Sequence, residues 1–412
     1  MCRGIRLLLP ICILVSIVHC ADNSVESVPE EPRQLTASEQ ELVQAFNKFG
    51  LDLFREIILL EKDMNVFISP LSVSMSLGMA LNGAAGATQE AMKTTLAFSD
   101  MTMEDVNESY QSLIGLLSGL DPEVRWQLAN SIWFRDAIEF EHEFFDACST
   151  YFDATVRGLD FNDPDAADTI NNWVKENTND RITEIVDKPV DPMMVMFLIN
   201  AIYFKGTWVC QFDPERTLED LFYLPDGSTL PCMMMAQEES HCYEYLSNSR
   251  FEALDLPYGN GLFSMTIILP GEGVTVNEVI GQLSAETWQQ WMDGLHNWTG
   301  MALIPRFELE YDLNLGSVLS GLGMEIAFDP LNADFTGMFS PGGIFISEVK
   351  HKTFVKVNEE GTEAAAVTST GAGTSSGPPV FYARRPFVFA IREKHSNTIL
   401  FIGKIVDPGF DP

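Results

Sequence analysis

The stretch Glu359-Glu360-Gly361-Thr362-Glu363-Ala364-Ala365-Ala366-Val367-Thr368-Ser369-Thr370-Gly371-Ala372-Gly373-Thr374-Ser375-Ser376-Gly377-Pro378-Pro379 decides how this chain reads. It is small and polar, yet it sits between two strand-like blocks, His351–Asn358 and Phe381–Ile391. A loop of this length inside a compact domain is usually either functional or disordered. From Thr362, every second residue is Thr362, Ala364, Ala366, Thr368, Thr370, Ala372 and Thr374. In extended backbone these small side chains fall on one face. No proline interrupts Glu359–Gly377, so each residue keeps a donor for a sheet ladder, and proline enters only at Pro378-Pro379. Gly371 and Gly373 weaken a strand mildly. Composition alone also fits a flexible tether, but this tether has the makings of a strand.

Working outward, the 412 residues exceed the usual size of one domain, yet no repeat, charge block or low-complexity break divides the chain after residue 36. Residues 37–412 therefore read as one unit, with 359–379 as its exposed loop, behind a polar tail at 21–36. A hydrophobic content of 46% is ample for a core. A formal net charge of −34 excludes nucleic acid and anionic membranes as natural partners.

Residues 1–20 read as a secretory signal: Arg3 and Arg6, the apolar run Leu7–Val18, then His19-Cys20-Ala21. The run is too short to span a bilayer. The expectation is a secreted protein, with lipid anchoring through Cys20, as in bacterial lipoproteins, as the alternative. Beyond the leader and Cys20 remain Cys148, Cys210, Cys232 and Cys242. Four cysteines permit three pairings, among which the sequence does not choose.

Ser38 with Glu41 forms a capping-box pattern, followed at helical spacing by Leu42, Phe46, Phe49, Leu53 and Ile57. Asn65-Val66-Phe67-Ile68-Ser69-Pro70-Leu71-Ser72 predicts a short apolar strand and a helix start with proline in its first turn. Val124–Phe134 and Met193–Tyr203 predict buried strands. Leu254–Tyr258 and Ser264–Pro270 predict a hairpin. The order, helices early and strands later, gives an α+β architecture.

Val357-Asn358-Glu359-Glu360-Gly361-Thr362-Glu363-Ala364-Ala365-Ala366 resembles the hinge of the reactive-centre loop in inhibitory serpins. Arg385-Pro386-Phe387-Val388-Phe389 and Phe401-Ile402-Gly403-Lys404 resemble the closing strands of that family. With Asn200–Trp208, Pro305-Arg306-Phe307, Leu322-Gly323-Met324 and Ala333–Gly337, the similarity runs over about residues 37–410. It implies three β-sheets, a large central one among them, with eight or nine helices. Ile170-Asn171-Asn172-Trp173-Val174 looks like the helix that serpins lay across the main sheet.

The same resemblance implies three clusters. The hinge is Glu359, Glu360, Gly361, Thr362, Glu363, Ala364, Ala365 and Ala366. A central group comprises Ser69, Ser72, Asn200 and His351, with Asn200 and His351 expected to hydrogen-bond where the sheet opens. At the sheet top, Trp208, Arg306 and Glu359 imply an ion pair, with Arg306 in place of the lysine common there. Arg384 departs from the Asp or Asn usual before Arg-Pro-Phe. The register places the attacked bond at Ser375–Ser376, suited to a protease with a small uncharged pocket, elastase-like or subtilisin-like.

No zinc spacing, Gly-x-Ser-x-Gly elbow or phosphate loop occurs, so nothing supports an enzyme, a metal or a cofactor. The implied activity is suicide inhibition of serine proteases by a metastable fold. The partner is the target protease, held in a covalent acyl complex, and the inhibitor acts as a monomer. Activation by a heparin-type polysaccharide is not expected, because basic residues are scattered singly. The alternatives are a non-inhibitory serpin, carrier or chaperone, and an inhibitor of papain-like cysteine proteases.

Overall fold

Alternating burial along Lys350–Val357, with His351, Thr353, Val355 and Val357 inward, makes this segment a strand with one face on the core. It belongs to a six-stranded sheet in the order 307–314, 350–357, 361–362, 196–207, 125–135 and 155–159. The structure, a computed structural model, describes residues 1, 32–362 and 378–409. The chain divides into two units, Met1–Gln34 and Leu35–Pro412, and the fold below is that of the second.

The buried strand expected over 124–134 is Arg125–Arg135, and the one expected over 193–203 is Met196–Thr207. The two pair antiparallel, with Asn130 opposite Asn200. The later start follows from Met193, which is 85% exposed and lies outside the ladder. Helix Ala166–Asn177 crosses this sheet as expected, burying Ala167, Ile170 and Val174 against Trp133 and Ile199. Asn171 fixes it to the following loop: Oδ1 accepts from the Ile185 and Val186 N–H groups at 2.9 Å.

A nine-stranded sheet carries the rest of the strands. Within it, the 19-residue strand Thr229–Ser247 pairs with 218–223 and 296–305 along one part and with 251–258 at its end. The two smaller sheets expected besides the main one thus share a strand and run into each other. The hairpin is Phe251–Tyr258 with Phe263–Pro270, and the closing strands are Phe387–Glu393 and Ile399–Ile405. Phe67, on strand Val66–Ile68, stacks on Phe389 and Phe401 with ring centroids 5.4 and 5.2 Å away.

Nine α-helices occur among the described residues. The first, Ala37–Leu60, buries the predicted stripe Leu42, Phe46, Phe49, Leu53 and Ile57. Its capping box is Thr36 with Glu39, not Ser38 with Glu41. Both pairs have the same spacing, but Ser38 already lies inside the helix, where it cannot cap.

Candidate functional site

The reading centred on 359–379 places the site at residues 359–362, where the described start of that segment meets the six-stranded sheet. Gly361 and Thr362 form a two-residue strand between Lys350–Val357 and Met196–Thr207. Thr362 pairs with Val357 on one side and with Gly206 on the other. Glycine is required at 361 by close approach, because a Cβ there would overlap the Gly206 carbonyl oxygen. The Thr362 hydroxyl is 2.7 Å from the Tyr258 hydroxyl, and the Tyr258 ring stacks on Trp208 at 4.3 Å.

Around this insertion the backbone is tied down by donors from one segment. Trp208 N–H donates to the Glu360 carbonyl at 2.7 Å, and Phe212 N–H to the Glu359 carbonyl at 2.8 Å. The Trp208 indole donates to the Asn358 carbonyl at 2.9 Å. Arg306 Nε donates to Glu359 Oε1 at 2.7 Å, and the Thr217 hydroxyl donates to the same oxygen. Trp208, Arg306 and Glu359 are therefore brought together, ion pair included. Glu360 is buried with Oε1 unpartnered among the described residues. Burial raises its carboxyl above the usual range, Lys205 opposing and Glu359 adding to the shift.

Below Thr362 the flanking strands 350–357 and 196–207 share no register of their own among the described residues. From Val357 to His351 and from Gly206 to Asn200 are each six residues, roughly 20 Å of strand. That lane opens into a cleft of about 460 Å³, lined in part by Ser72, Ile199, Asn200, Ile346 and His351.

The central group is present, with one correction. Ser69 caps helix Pro70–Leu81: its hydroxyl accepts from Ser72 N–H at 3.2 Å and donates to the Leu400 carbonyl at 2.7 Å. His351 Nε2 accepts from Ser69 N–H at 3.0 Å, which requires that nitrogen to be unprotonated. Burial lowers its pKa to about 4. The bond expected between Asn200 and His351 is not formed. Asn200 Nδ2 donates instead to Asn130 Oδ1 at 2.7 Å, because these two residues face each other across paired strands while His351 lies beyond the open lane. Asn200 Oδ1 is left buried without a hydrogen-bond partner among the described residues.

Glu363, Ala364, Ala365, Ala366, Ser375 and Ser376 lie outside the described residues. Sequence reasoning missed Thr217, Tyr258 and Asn130. Asn130, a lone amide in an apolar strand, was open to detection, since such a group needs a partner. Thr217 and Tyr258 carry no local signal. Of the cysteines, Cys210 and Cys242 are bridged, whereas Cys148 and Cys232 are free and buried.

Comparison with known proteins identifies the family. A profile described as serpin (serine protease inhibitor) matches residues 44–408, and the chain belongs to that family, a family of protease inhibitors rather than enzymes. Among its relatives is the leukocyte elastase inhibitor of Homo sapiens, 35% identical over 380 residues, which cover 90% of this chain and 100% of that protein. Intracellular coagulation inhibitor 2 of Tachypleus tridentatus is 34% identical over 375 residues, 89% of this chain and 91% of the relative. The native-state crystal structure of the thermophilic serpin tengpin superposes with a TM-score of 0.81 at 31% identity, covering 92% of this chain and 96% of that one.

These relatives correct the expectation of secretion, and with it that of a lipid anchor at Cys20. A relative 34% identical over 89% of this chain is intracellular by name, against the expectation of secretion. The leader itself, Arg3, Arg6, Leu7–Val18 and Cys20, lies outside the described residues.

Proposed function

We propose that the chain traps serine proteases by inserting its cleaved loop into the six-stranded sheet, residues 37–412 acting as one unit. The observation that carries this reading is the placement of Gly361–Thr362. They already occupy the top of a lane whose flanking strands remain unpaired with each other below.

The protease serine attacks the Ser375 carbonyl, the bond to Ser376 breaks, and its amine leaves, so an ester joins Ser375 to the enzyme. The freed segment from Glu363 onward then runs down the lane between 350–357 and 196–207. Each inserted residue contributes ladder hydrogen bonds worth roughly 1 kcal/mol net. The attached enzyme is dragged with it and loses its oxyanion-hole geometry, worth about 10²–10³ in rate per donor. Deacylation stalls, and the inhibitor is used once. With no Lys or Arg between Glu359 and Ala383, the target is a protease of small-residue preference, elastase-like or subtilisin-like.

Mixing the protein with leukocyte elastase tests this. The expected product is a covalent adduct stable in SDS, with the ester mapped by mass to Ser375. Thr362→Arg and Ala366→Pro should instead be cut and released. Cleavage of the unaltered chain without adduct would leave a carrier or chaperone on the same fold, and an adduct with papain alone would move the target class to cysteine proteases.

A further inference from the structure

The segment that grips the hinge is itself held from behind. Trp208 and Phe212 donate their N–H groups to Glu360 and Glu359. Between them, Cys210 is disulfide-bonded to Cys242 on strand Thr229–Ser247 of the other sheet. Two further ties run the same way: Val209 N–H donates to the Pro257 carbonyl at 2.9 Å, and Gln237 Nε2 donates to the Gln211 carbonyl at 2.7 Å. Cys242 is anchored in a weak part of its own strand, because pairing with 296–305 shifts register between Gln237 and Ser240 and again between Ser240 and Tyr243. The bridge thus fastens a five-residue grip to a strand that the ladder alone secures poorly.

The bridge is also reachable. Cys210 and Cys242 are half-buried and flanked by exposed Val209, Gln211 and His241. Ser240 Oγ lies 3.3 Å from Cys210 Sγ and 2.8 Å from Cys242 Sγ, a donor placed to stabilise a leaving thiolate. Among the described residues the remaining thiols, Cys148 and Cys232, are buried, and burial pushes Cys232 up to about 11 and Cys148 higher still, so neither is a ready target for an oxidant.

We propose that Cys210–Cys242 is a redox-modification site that governs how firmly the loop hinge is held at the top of the sheet. A thioredoxin-class dithiol supplies the two electrons. Its thiolate attacks one sulfur to form a mixed disulfide, and its second thiol displaces the protein. This leaves two protein thiols, after net transfer of two protons, and an oxidised reductant. Opening the bridge removes the covalent tie and leaves the segment held by the Val209–Pro257 and Gln237–Gln211 hydrogen bonds alone, so the donors to the Glu359 and Glu360 carbonyls are held less firmly. In a thiol-reducing compartment, where protein disulfides tend to be transient, the bridge sets a held and a released form. The consequence for inhibition rests on the reading given above; the effect on the hinge does not.

The experiment compares full-length protein after mild oxidation with the same protein after tris(2-carboxyethyl)phosphine. Alkylation and mass measurement report the bridge. Amide hydrogen exchange on the peptide spanning 207–213 reports the grip. The expected result is one bridge in the oxidised protein, and on reduction about tenfold faster exchange at Trp208 and Phe212, with 387–393 and 399–405 unchanged. Cys210→Ser/Cys242→Ser should exchange like the reduced form without reductant. An oxidised protein with four free thiols among Cys148, Cys210, Cys232 and Cys242 would overturn the proposal. So would an opened bridge with exchange at 207–213 unaltered. Adduct formation with leukocyte elastase, followed in parallel, bears on the inhibitor reading alone.

Discussion

Lowering the pH from 7 to 5 should loosen the sheet through one residue, His351. In the folded chain its Nε2 accepts from Ser69 N–H, and burial holds its pKa at about 4. Once the sheet opens and water reaches the ring, the ordinary value of about 6.5 returns. A folded-state pKa below the unfolded one means that the open state binds the proton more readily. Stability is therefore complete above pH 6.5 and falls as pH drops toward 4, below which nothing more is lost. At pH 7 the loss is only about 0.2 kcal/mol, and at pH 5 it reaches about 2 kcal/mol, so opening should be roughly 20-fold more frequent at pH 5. The assay is the unfolding rate at fixed urea over this range, with His351→Gln alongside, since a glutamine carbonyl can accept from Ser69 without titrating. The unaltered chain should accelerate roughly 20-fold more than the variant. Identical acceleration of the two would refute the reasoning.

Two substitutions probe the sheet top. Gly361→Ala should drive residues 361–362 out of the lane, because the new Cβ overlaps the Gly206 carbonyl oxygen; overpacking of this kind costs about 1–3 kcal/mol, and faster amide exchange at Thr362 would register it. Glu359→Gln removes the charge from a pair whose carboxylate is buried and whose Arg306 is 28% exposed. With that exposure discounted, the loss is about 1 kcal/mol, read as several-fold faster heat inactivation of the uncleaved protein; an unchanged rate would mean that the pair does not guard the lane.

Most of the fold was legible because its signals are local. Ser69-Pro70 and the apolar stripe from Leu42 to Ile57 specify a helix start and a buried face by spacing alone, whereas the first cap was read at Ser38, two residues late, because Thr36–Glu39 and Ser38–Glu41 share one spacing. The hinge was assigned by resemblance, because composition alone fitted a tether as well, and only its Glu359–Thr362 part lies among the described residues. What stayed hidden depends on residues distant in sequence. Tyr258 meets Thr362 across 104 positions and Thr217 meets Glu359 across 142, and no periodicity reports such a meeting. The Asn200–His351 bond was expected from resemblance; the structure gives Asn200 the neighbour its register supplies, Asn130. The Cys210–Cys242 bridge was one of three pairings that only coordinates separate.

The central claim is that the intact chain is held short of its most stable arrangement. It is tested most directly by the melting temperature before and after a single cut at Ser375–Ser376. Insertion of about a dozen residues into the lane adds on the order of 10 kcal/mol of ladder hydrogen bonds, so the cut protein should melt well above the intact one. A cut protein that melts at or below the temperature of the intact chain would contradict the account.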